Sequence, residues 1–115
     1  MKDDRLYLHH MLERCRRITR FIQSGREAFA ASEEIQDAVI RNLEVIGEAA
    51  KQISVDTRAR LPSFDWKAIC GMRDVLIHNY IGVDIEGVWN VASFRIPEIQ
   101  ATLEEFLARE GPRSA

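Results

Sequence analysis

The amino-acid sequence predicts an all-α domain in which four helices form an antiparallel bundle. Apolar residues recur every three or four positions through most of the 115 residues, which is the spacing of helices with one buried face. No segment alternates apolar and polar residues, and no Asn-Gly or Asp-Gly pair separates two β-branched runs. The connections between the periodic segments are short or moderate, so consecutive helices are expected to run in opposite directions.

Capping residues mark the first two predicted helices. Asp3 and Asp4 suit the positive N-terminal end of the first helix, and Gly25 is expected to end it. Its apolar positions are Leu8, Met11, Leu12, Cys15, Ile18, Phe21 and Ile22. Ser32 is the expected N-cap of a second helix that ends near Ser54. Its apolar positions are Ile35, Val39, Leu43, Ile46, Ala50 and Ile53.

A polar connection over residues 55–65 separates the second helix from the third. Asp65 is the expected N-cap of the third helix, which begins at Trp66, and Gly82 marks its exit. The apolar positions of this helix are Trp66, Ile69, Cys70, Val75, Leu76 and Ile77.

The fourth predicted helix is capped by Asp84 and keeps its apolar phase on both sides of Pro97. A preserved phase across a proline favours one kinked helix over two separate ones. Its apolar positions are Val88, Ala92, Ile96, Ile99, Leu103 and Phe106. We therefore expect a single domain over residues 1–109 and a frayed tail over residues 110–115.

Composition places the chain among globular proteins and excludes several other classes. Apolar residues make up 46% of the chain and charged residues 30%. Cys15 and Cys70 are the only cysteines and lack metal-ligand spacing, so we expect two reduced thiols rather than a disulfide scaffold. No run of about 18 apolar residues predicts a membrane span, and the first residues lack the apolar core of a secretory signal. A cytoplasmic location is the expectation.

Most enzyme signatures are missing from the sequence. It contains no glycine-rich phosphate loop, no His-Glu-x-x-His zinc motif and no Gly-x-Ser-x-Gly turn. His9 and His10 are adjacent and point to different sides of a helix, so a multi-histidine metal site is not expected. We predict a function that needs neither a metal ion nor a cofactor.

Polar residues concentrate at the end of the third predicted helix, in GMRDVLIHNYIG. Its hydrogen-bonding side chains are Arg73, Asp74, His78, Asn79 and Tyr80. Asp74 and His78 are four apart and share a helix face, where the carboxylate could orient the imidazole. Arg73 and His78 are five apart and lie about 140° from one another around a helix. Local unwinding or a second protomer would be needed to bring them together.

Two interpretations of this cluster follow from its chemistry. In the first, the charges lie on the surface, the histidine is hydrogen-bonded near a helix end, and the tyrosine packs on the bundle. In the second, a guanidinium clamps a phosphodiester while a histidine transfers protons to and from sugar hydroxyls. RNA supplies its own 2′-hydroxyl nucleophile, so such cleavage needs no metal and leaves a 2′,3′-cyclic phosphate and a 5′-hydroxyl.

The run Arg73-x4-His78-x-Tyr80 resembles the motif of HepT-like proteins, a branch of the HEPN superfamily of metal-independent RNases. Similarity extends over essentially the whole chain. Besides the motif, it includes residues 4–15, residues 41–54, Trp66, Gly71, Met72, Val83, Asp84, Val88 and Trp89.

The resemblance implies a HEPN-type four-helix bundle that forms a homodimer, with the motifs of two protomers in one cleft. It implies a toxin whose RNA cleavage uses Arg73 and His78, with Asp74 and Asn79 in supporting roles. It also implies a cognate MNT-type nucleotidyltransferase antitoxin that transfers AMP to Tyr80. A negative phosphate there would occupy the anion site beside the arginine. A rival interpretation is a non-catalytic helical module that docks to, or presents substrate to, a nucleotidyltransferase, and a third is a structural dimerisation domain.

Three further features each admit two or more explanations. A basic stripe on the first helix could contact RNA, dock an acidic antitoxin surface or be ordinary solvated charge; it consists of Arg14, Arg16, Arg17 and Arg20. Glu44 and Glu48 could form an acid pair, although Gly47 between them favours close helix approach with Glu48 as a hydrogen-bond acceptor. Trp66 and Trp89 could stack on bases, but bundle packing is favoured.

Overall fold

The structure is a computed structural model that describes residues 3–78 and 84–110, and it gives the backbone alone for residues 73–78. All the regular elements in these ranges are helical, which confirms the predicted all-α class. The helices are α1 (Asp4–Phe21), α2 (Arg26–Ala31), α3 (Glu33–Lys51), α4 (Val55–Ala59), α5 (Trp66–His78), α6 (Ile85–Asn90) and α7 (Ile96–Glu110), with a π-helical segment at Val91–Arg95 between the last two. None of them is both long and apolar enough to span a membrane.

The long helices pack as a bundle around one apolar core. α1 lies against both α3 and α7, and α3 lies between α1 and α5. Asp4 of α1 accepts hydrogen bonds from Ser54 just past α3, while Arg14 bonds to Asn42, so α1 and α3 run antiparallel. The side chains that are almost fully buried include Leu8, Met11, Cys15, Ile18, Val39, Leu43, Ile46, Ile96 and Leu103. These residues are the predicted apolar stripes, so the amphipathic pattern places the core correctly.

Two of the predicted caps form as expected. The Ser32 Oγ accepts a hydrogen bond from the Ile35 N–H at 3.2 Å, at the start of α3. The Asp65 Oδ1 accepts one from the Ala68 N–H at 3.0 Å, at the start of α5. Each side chain satisfies a backbone donor that the first helical turn leaves unpaired, which fixes where the helix begins.

The structure corrects the predicted connection between the first two long helices. α1 ends at Phe21 rather than at Gly25, and Gly25 instead precedes the short helix α2 with a φ of +94°. That left-handed backbone favours glycine because it has no Cβ to clash. α2 escaped prediction because it is a single short turn-and-a-half that buries one side chain, Phe29.

The predicted polar connection over residues 55–65 also contains a short helix, α4. Ser54 caps it through a hydrogen bond from the Thr57 N–H, and none of its residues is buried, so it carries no apolar period to detect. α4 ties both ends of the described chain together. Asp4 accepts hydrogen bonds from the Ser54 and Thr57 hydroxyls, while Arg60, directly after α4, pairs with Glu110.

The helical run from Ile85 to Glu110 is unbroken, as the preserved phase predicted. Its π-helical segment lies immediately before Pro97, and the Ile96 N–H donates to the Val91 carbonyl five residues back. Proline has no N–H to donate to the preceding turn, and wider π-type hydrogen bonding accommodates that loss. The kink predicted at Pro97 stays a prediction. Gly82 and residues 111–115 lie outside the described residues.

Candidate active site and its surroundings

The helix that carries the polar cluster, α5, is anchored firmly at its start. Besides the Asp65 cap, the Trp66 indole Nε1 donates to the Leu61 carbonyl at 3.2 Å and its ring meets Phe64 edge-on at 5.2 Å. Arg58 lies over the same indole at 5.4 Å. Trp66 therefore packs within the bundle, which is the role that the sequence analysis favoured over base stacking.

The backbone of α5 stays helical through His78, so Arg73, Asp74 and His78 lie on one continuous helix. Local unwinding between Arg73 and His78, one of the two ways to bring them together, does not occur. Their positions keep the separation of about 140° that regular helix geometry dictates. Asn79 and Tyr80 lie outside the described residues.

A groove runs beside α5. It has a volume of about 1000 Å³ and separates α5 from α6, the π-helical segment and α7. Its floor and walls are mainly apolar and include Leu43, Ala68, Ile69, Met72, Val88, Val91 and Ile99. Among the described residues, a Cβ placed on Gly71 would meet nothing within 4 Å, which confirms how open this side of α5 is.

The rim of the groove carries charges of both signs and one exposed aromatic ring. Asp65, Asp84 and Glu98 are acidic, and Lys67 and Arg95 are basic. Phe94, in the π-helical segment, is 69% exposed and lines a neighbouring depression that shares Val91, Arg95 and Glu98 with the groove. We call the groove together with Phe94 the groove face.

Helix α2 packs against α6. Phe29 packs on Trp89 with ring centroids 5.4 Å apart, and Arg26 pairs with Glu86. The Gln36 Nε2 donates to the Phe29 carbonyl at 3.0 Å, which fastens α2 to α3. Trp89 thus also packs within the bundle, as the sequence favoured.

The arginines of α1 are divided between two sides of the helix. Arg16 pairs with Glu104 of α7 at 3.1 Å, whereas Arg17 pairs with Glu13 of its own helix at 3.4 Å. Arg14 turns toward α3, where its Nη1 donates to the Asn42 Oδ1 at 3.2 Å. Within the predicted basic stripe, Arg14 and Arg16 therefore face different helices.

We call the contact between α1 and α3 around the Arg14–Asn42 hydrogen bond the α1–α3 seam. Within the described part of the chain, the Arg14 Nε is buried without a hydrogen-bond partner. Burial lowers the pKa of Arg14, and the charges of Arg17 and Arg41 lower it further, against an opposing effect of Glu13. Sequence reasoning missed the partner, Asn42, which is only 5% exposed; a polar residue inside an otherwise apolar helix face was the available signal.

Of the two explanations for Glu44 and Glu48, the structure agrees with the favoured one, close helix approach at Gly47, in the burial of that glycine. Glu44 pairs with Arg41 at 3.5 Å, Glu48 is exposed, and Gly47 between them is buried. Within the described ranges, His, Cys, Asp and Glu form no group of three that could hold a metal ion. Cys15 and Cys70 are both free, as predicted, and burial raises the pKa of Cys15 to about 12.

Comparison with known proteins defines the class of this chain. The family model for HepT-like ribonucleases matches residues 11–106. "Putative RNase MJ1216" of Methanocaldococcus jannaschii is 41% identical over 107 residues, covering 92% of this chain and 88% of that protein. "Putative RNase TTE0752" of Caldanaerobacter subterraneus is 36% identical over 111 residues, covering 96% and 99%. "Probable ribonuclease HepT" of Thermococcus cleftensis is 40% identical over 79 residues, covering 69% and 72%. No solved structure matches significantly.

These matches show that the chain belongs to the HepT-like ribonuclease family, a branch of the HEPN superfamily. The resemblance noted in the sequence is thereby confirmed.

Proposed function

We propose that this protein is a metal-independent endoribonuclease toxin of a toxin–antitoxin pair. Arg73 and His78 cleave RNA, and a cognate MNT-type nucleotidyltransferase inactivates the toxin by transferring AMP to Tyr80. The observation that carries the proposal is the match of residues 11–106 to the HepT-like ribonuclease family, in a chain that has both Arg73 and His78 on one helix, α5.

The proposed chemistry follows from the two side chains. His78 removes the proton of the RNA 2′-hydroxyl, whose oxygen attacks the neighbouring phosphorus and forms the 2′,3′-cyclic phosphate. The bond to the 5′-oxygen of the next nucleotide breaks, and the proton held by the imidazole passes to that oxygen, which leaves as a 5′-hydroxyl. Arg73 binds the phosphate oxygens and stabilises the charge that develops on them. Asp74, one helical turn before His78, supports the imidazole, and Asn79 assists at the end of the helix.

The proposal includes a homodimer, because one α5 places Arg73 and His78 on different sides. The groove face supports this assembly in two ways. In a two-fold interface the same surface of each protomer meets its copy. The exposed ring of Phe94 on one protomer could then insert into the apolar groove of the other. Its rim carries three acids and two bases, a mixture suited to another copy of the chain rather than to a polyanion.

Substitution of Phe94 tests the dimer. Phe94→Glu is expected to shift the protein from dimer to monomer, because it places a charge in the apolar contact. Val55→Glu is the matched control, since Val55 is 81% exposed on α4, away from the groove face. Light scattering after size-exclusion chromatography measures both masses. A Phe94→Glu variant that stays dimeric would reject this face as the interface.

The activity itself is tested with purified protein and single-stranded RNA. We expect cleavage products ending in 2′,3′-cyclic phosphate, and a loss of rate of about 10²–10⁴-fold in both Arg73→Ala and His78→Ala. His9→Ala and Arg109→Ala, which alter exposed residues on other helices, are controls that should retain activity. Equal cleavage by all five proteins would contradict the assignment and favour the non-catalytic docking module.

Control by the antitoxin is tested by growth of a bacterial host. Tyr80→Phe should remain toxic when the nucleotidyltransferase is co-expressed, because it lacks the hydroxyl that accepts AMP. Recovery of growth in that strain would show that Tyr80 is not the control point.

A further inference from the structure

We propose that the α1–α3 seam carries a phosphate-binding site made by Arg14, Arg17 and Arg41. Through this site the protein binds the RNA backbone at a second place, apart from the residues that cleave it. The inference rests on the proposed ribonuclease function, because it assigns a second contact to the same substrate.

The site is anchored from inside the bundle. Asn42 is buried, and its Nδ2 donates to the Ala38 carbonyl at 2.7 Å, which fixes the orientation of the carboxamide. Its Oδ1 then faces Arg14 and accepts from Nη1 at 3.2 Å. Since the Nε of Arg14 is also buried, the guanidinium is held before any ligand arrives. A preorganised arginine loses less conformational entropy on binding than a freely rotating one.

Two further arginines flank this anchor. Arg17 lies three residues beyond Arg14 on α1, and Arg41 directly precedes Asn42 on α3. Both lie close enough to lower the pKa of Arg14 through their charges. Three neighbouring guanidinium groups attract anions, and they match phosphate oxygens in geometry and charge.

Two of the three arginines pair with carboxylates of the chain. Glu13 pairs with Arg17 at 3.4 Å, and because both side chains are exposed this pair contributes little to stability. Glu44, which is 20% exposed, pairs with Arg41 at 3.5 Å, and Arg41 stays 66% exposed. These carboxylates can exchange for a stronger anion. A partner protein would offer only more carboxylates of the kind the chain already supplies, whereas a phosphodiester backbone offers repeated anions and releases counterions on binding. The seam therefore fits RNA better than an acidic protein.

Fluorescence anisotropy with a labelled, single-stranded 2′-O-methyl RNA tests the site, because this RNA lacks the nucleophile and cannot be cleaved. The double variant Arg17→Gln/Arg41→Gln removes two exposed side chains without disturbing the core. We expect it to bind at least about tenfold more weakly, with a salt dependence reduced by about 0.7 for each lost phosphate contact. Arg16→Gln, on the α7 side of the same helix, is the matched control and should bind like the wild type.

Three results would overturn the site: no binding by the wild type, an equal loss in Arg16→Gln, or competition by polyglutamate as strong as by unlabelled RNA. The cleavage assay on unmodified RNA separates this inference from the proposed function. If the protein cleaves RNA but binding does not depend on Arg17 and Arg41, the phosphate site is rejected and the nuclease function stands. If binding depends on these arginines but no cleavage occurs, the phosphate site stands and the nuclease function is rejected.

Discussion

The two sides of the bundle differ in how completely they are packed. On the closed side, α1 lies between α3 and α7, and its apolar stripe is almost wholly buried. On the open side, α5 packs against α3 but faces α6 and α7 across a groove of about 1000 Å³. The helix that carries Arg73 and His78, α5, belongs to the open side. The difference indicates that the closed side supplies most of the stability, while the open side leaves surface for binding.

The strongest test of this comparison is truncation of one apolar side chain on each side. Leu103→Ala on α7 should lower the free energy of unfolding by about 2–5 kcal/mol, because Leu103 is fully buried and its loss leaves a cavity. Met72→Ala in the groove should cost less than half as much, since solvent already reaches that side chain. Urea unfolding measures both. Equal losses would show that the groove is not open in solution.

The hydrogen bond between Arg14 and Asn42 on the closed side can be removed by substituting Asn42. Asn42→Ala should cost about 1–3 kcal/mol, because it removes the partner of the half-buried Arg14 guanidinium. Asp37→Ala, an exposed substitution on the same helix, should change stability by less than about 0.5 kcal/mol. Comparable values from urea unfolding for the two variants would mean that the seam hydrogen bond contributes nothing.

The two cysteines, one on each side, differ in burial: Cys15 is buried, and Cys70 is partly exposed. The pKa of Cys15 is raised to about 12 by burial, so the unfolded chain loses this proton near pH 9 while the folded chain retains it. Stability should therefore fall as the pH rises above 9, by at most about 1.4 kcal/mol per unit from this group. Cys15→Ala should flatten that decline in thermal unfolding. A thiol reagent should label Cys70 and spare Cys15, and rapid labelling of Cys15 would contradict its burial.

The smallest expected effect concerns the helix starts on the open side. Asp65→Ala should lower stability by about 1 kcal/mol, because its carboxylate caps α5. Asp84→Ala should cost less, since among the described residues the Asp84 side chain makes no capping hydrogen bond to α6. Calorimetry compares the two melting temperatures, and a larger loss at Asp84 would reverse their assigned roles.

Periodicity and caps were enough to predict the long helices, because Ser32, Asp65 and the apolar stripes act locally. α2 and α4 escaped prediction since each is shorter than two turns and buries at most one side chain. Arg73 and His78 were placed on the correct helix from the sequence, while their roles stay predictions. The division of the α1 arginines could not be predicted, because Glu104 and Asn42 reach them from distant parts of the chain.

The α4 region has a practical consequence for any probe attached to this protein. Asp4 and Glu110, near the two ends of the described chain, are both held at α4, and α5 begins just beyond it. α5 then runs away from that end for 13 residues, which is about 20 Å of helix. A fluorophore attached at Asp4 or Glu110 would stand at the opposite end of the bundle from the last turn of α5. Single-molecule tethering through Asp4 and Glu110 would thus load the hydrogen bonds and the ion pair at α4 first, and it would leave the last turn of α5 unhindered.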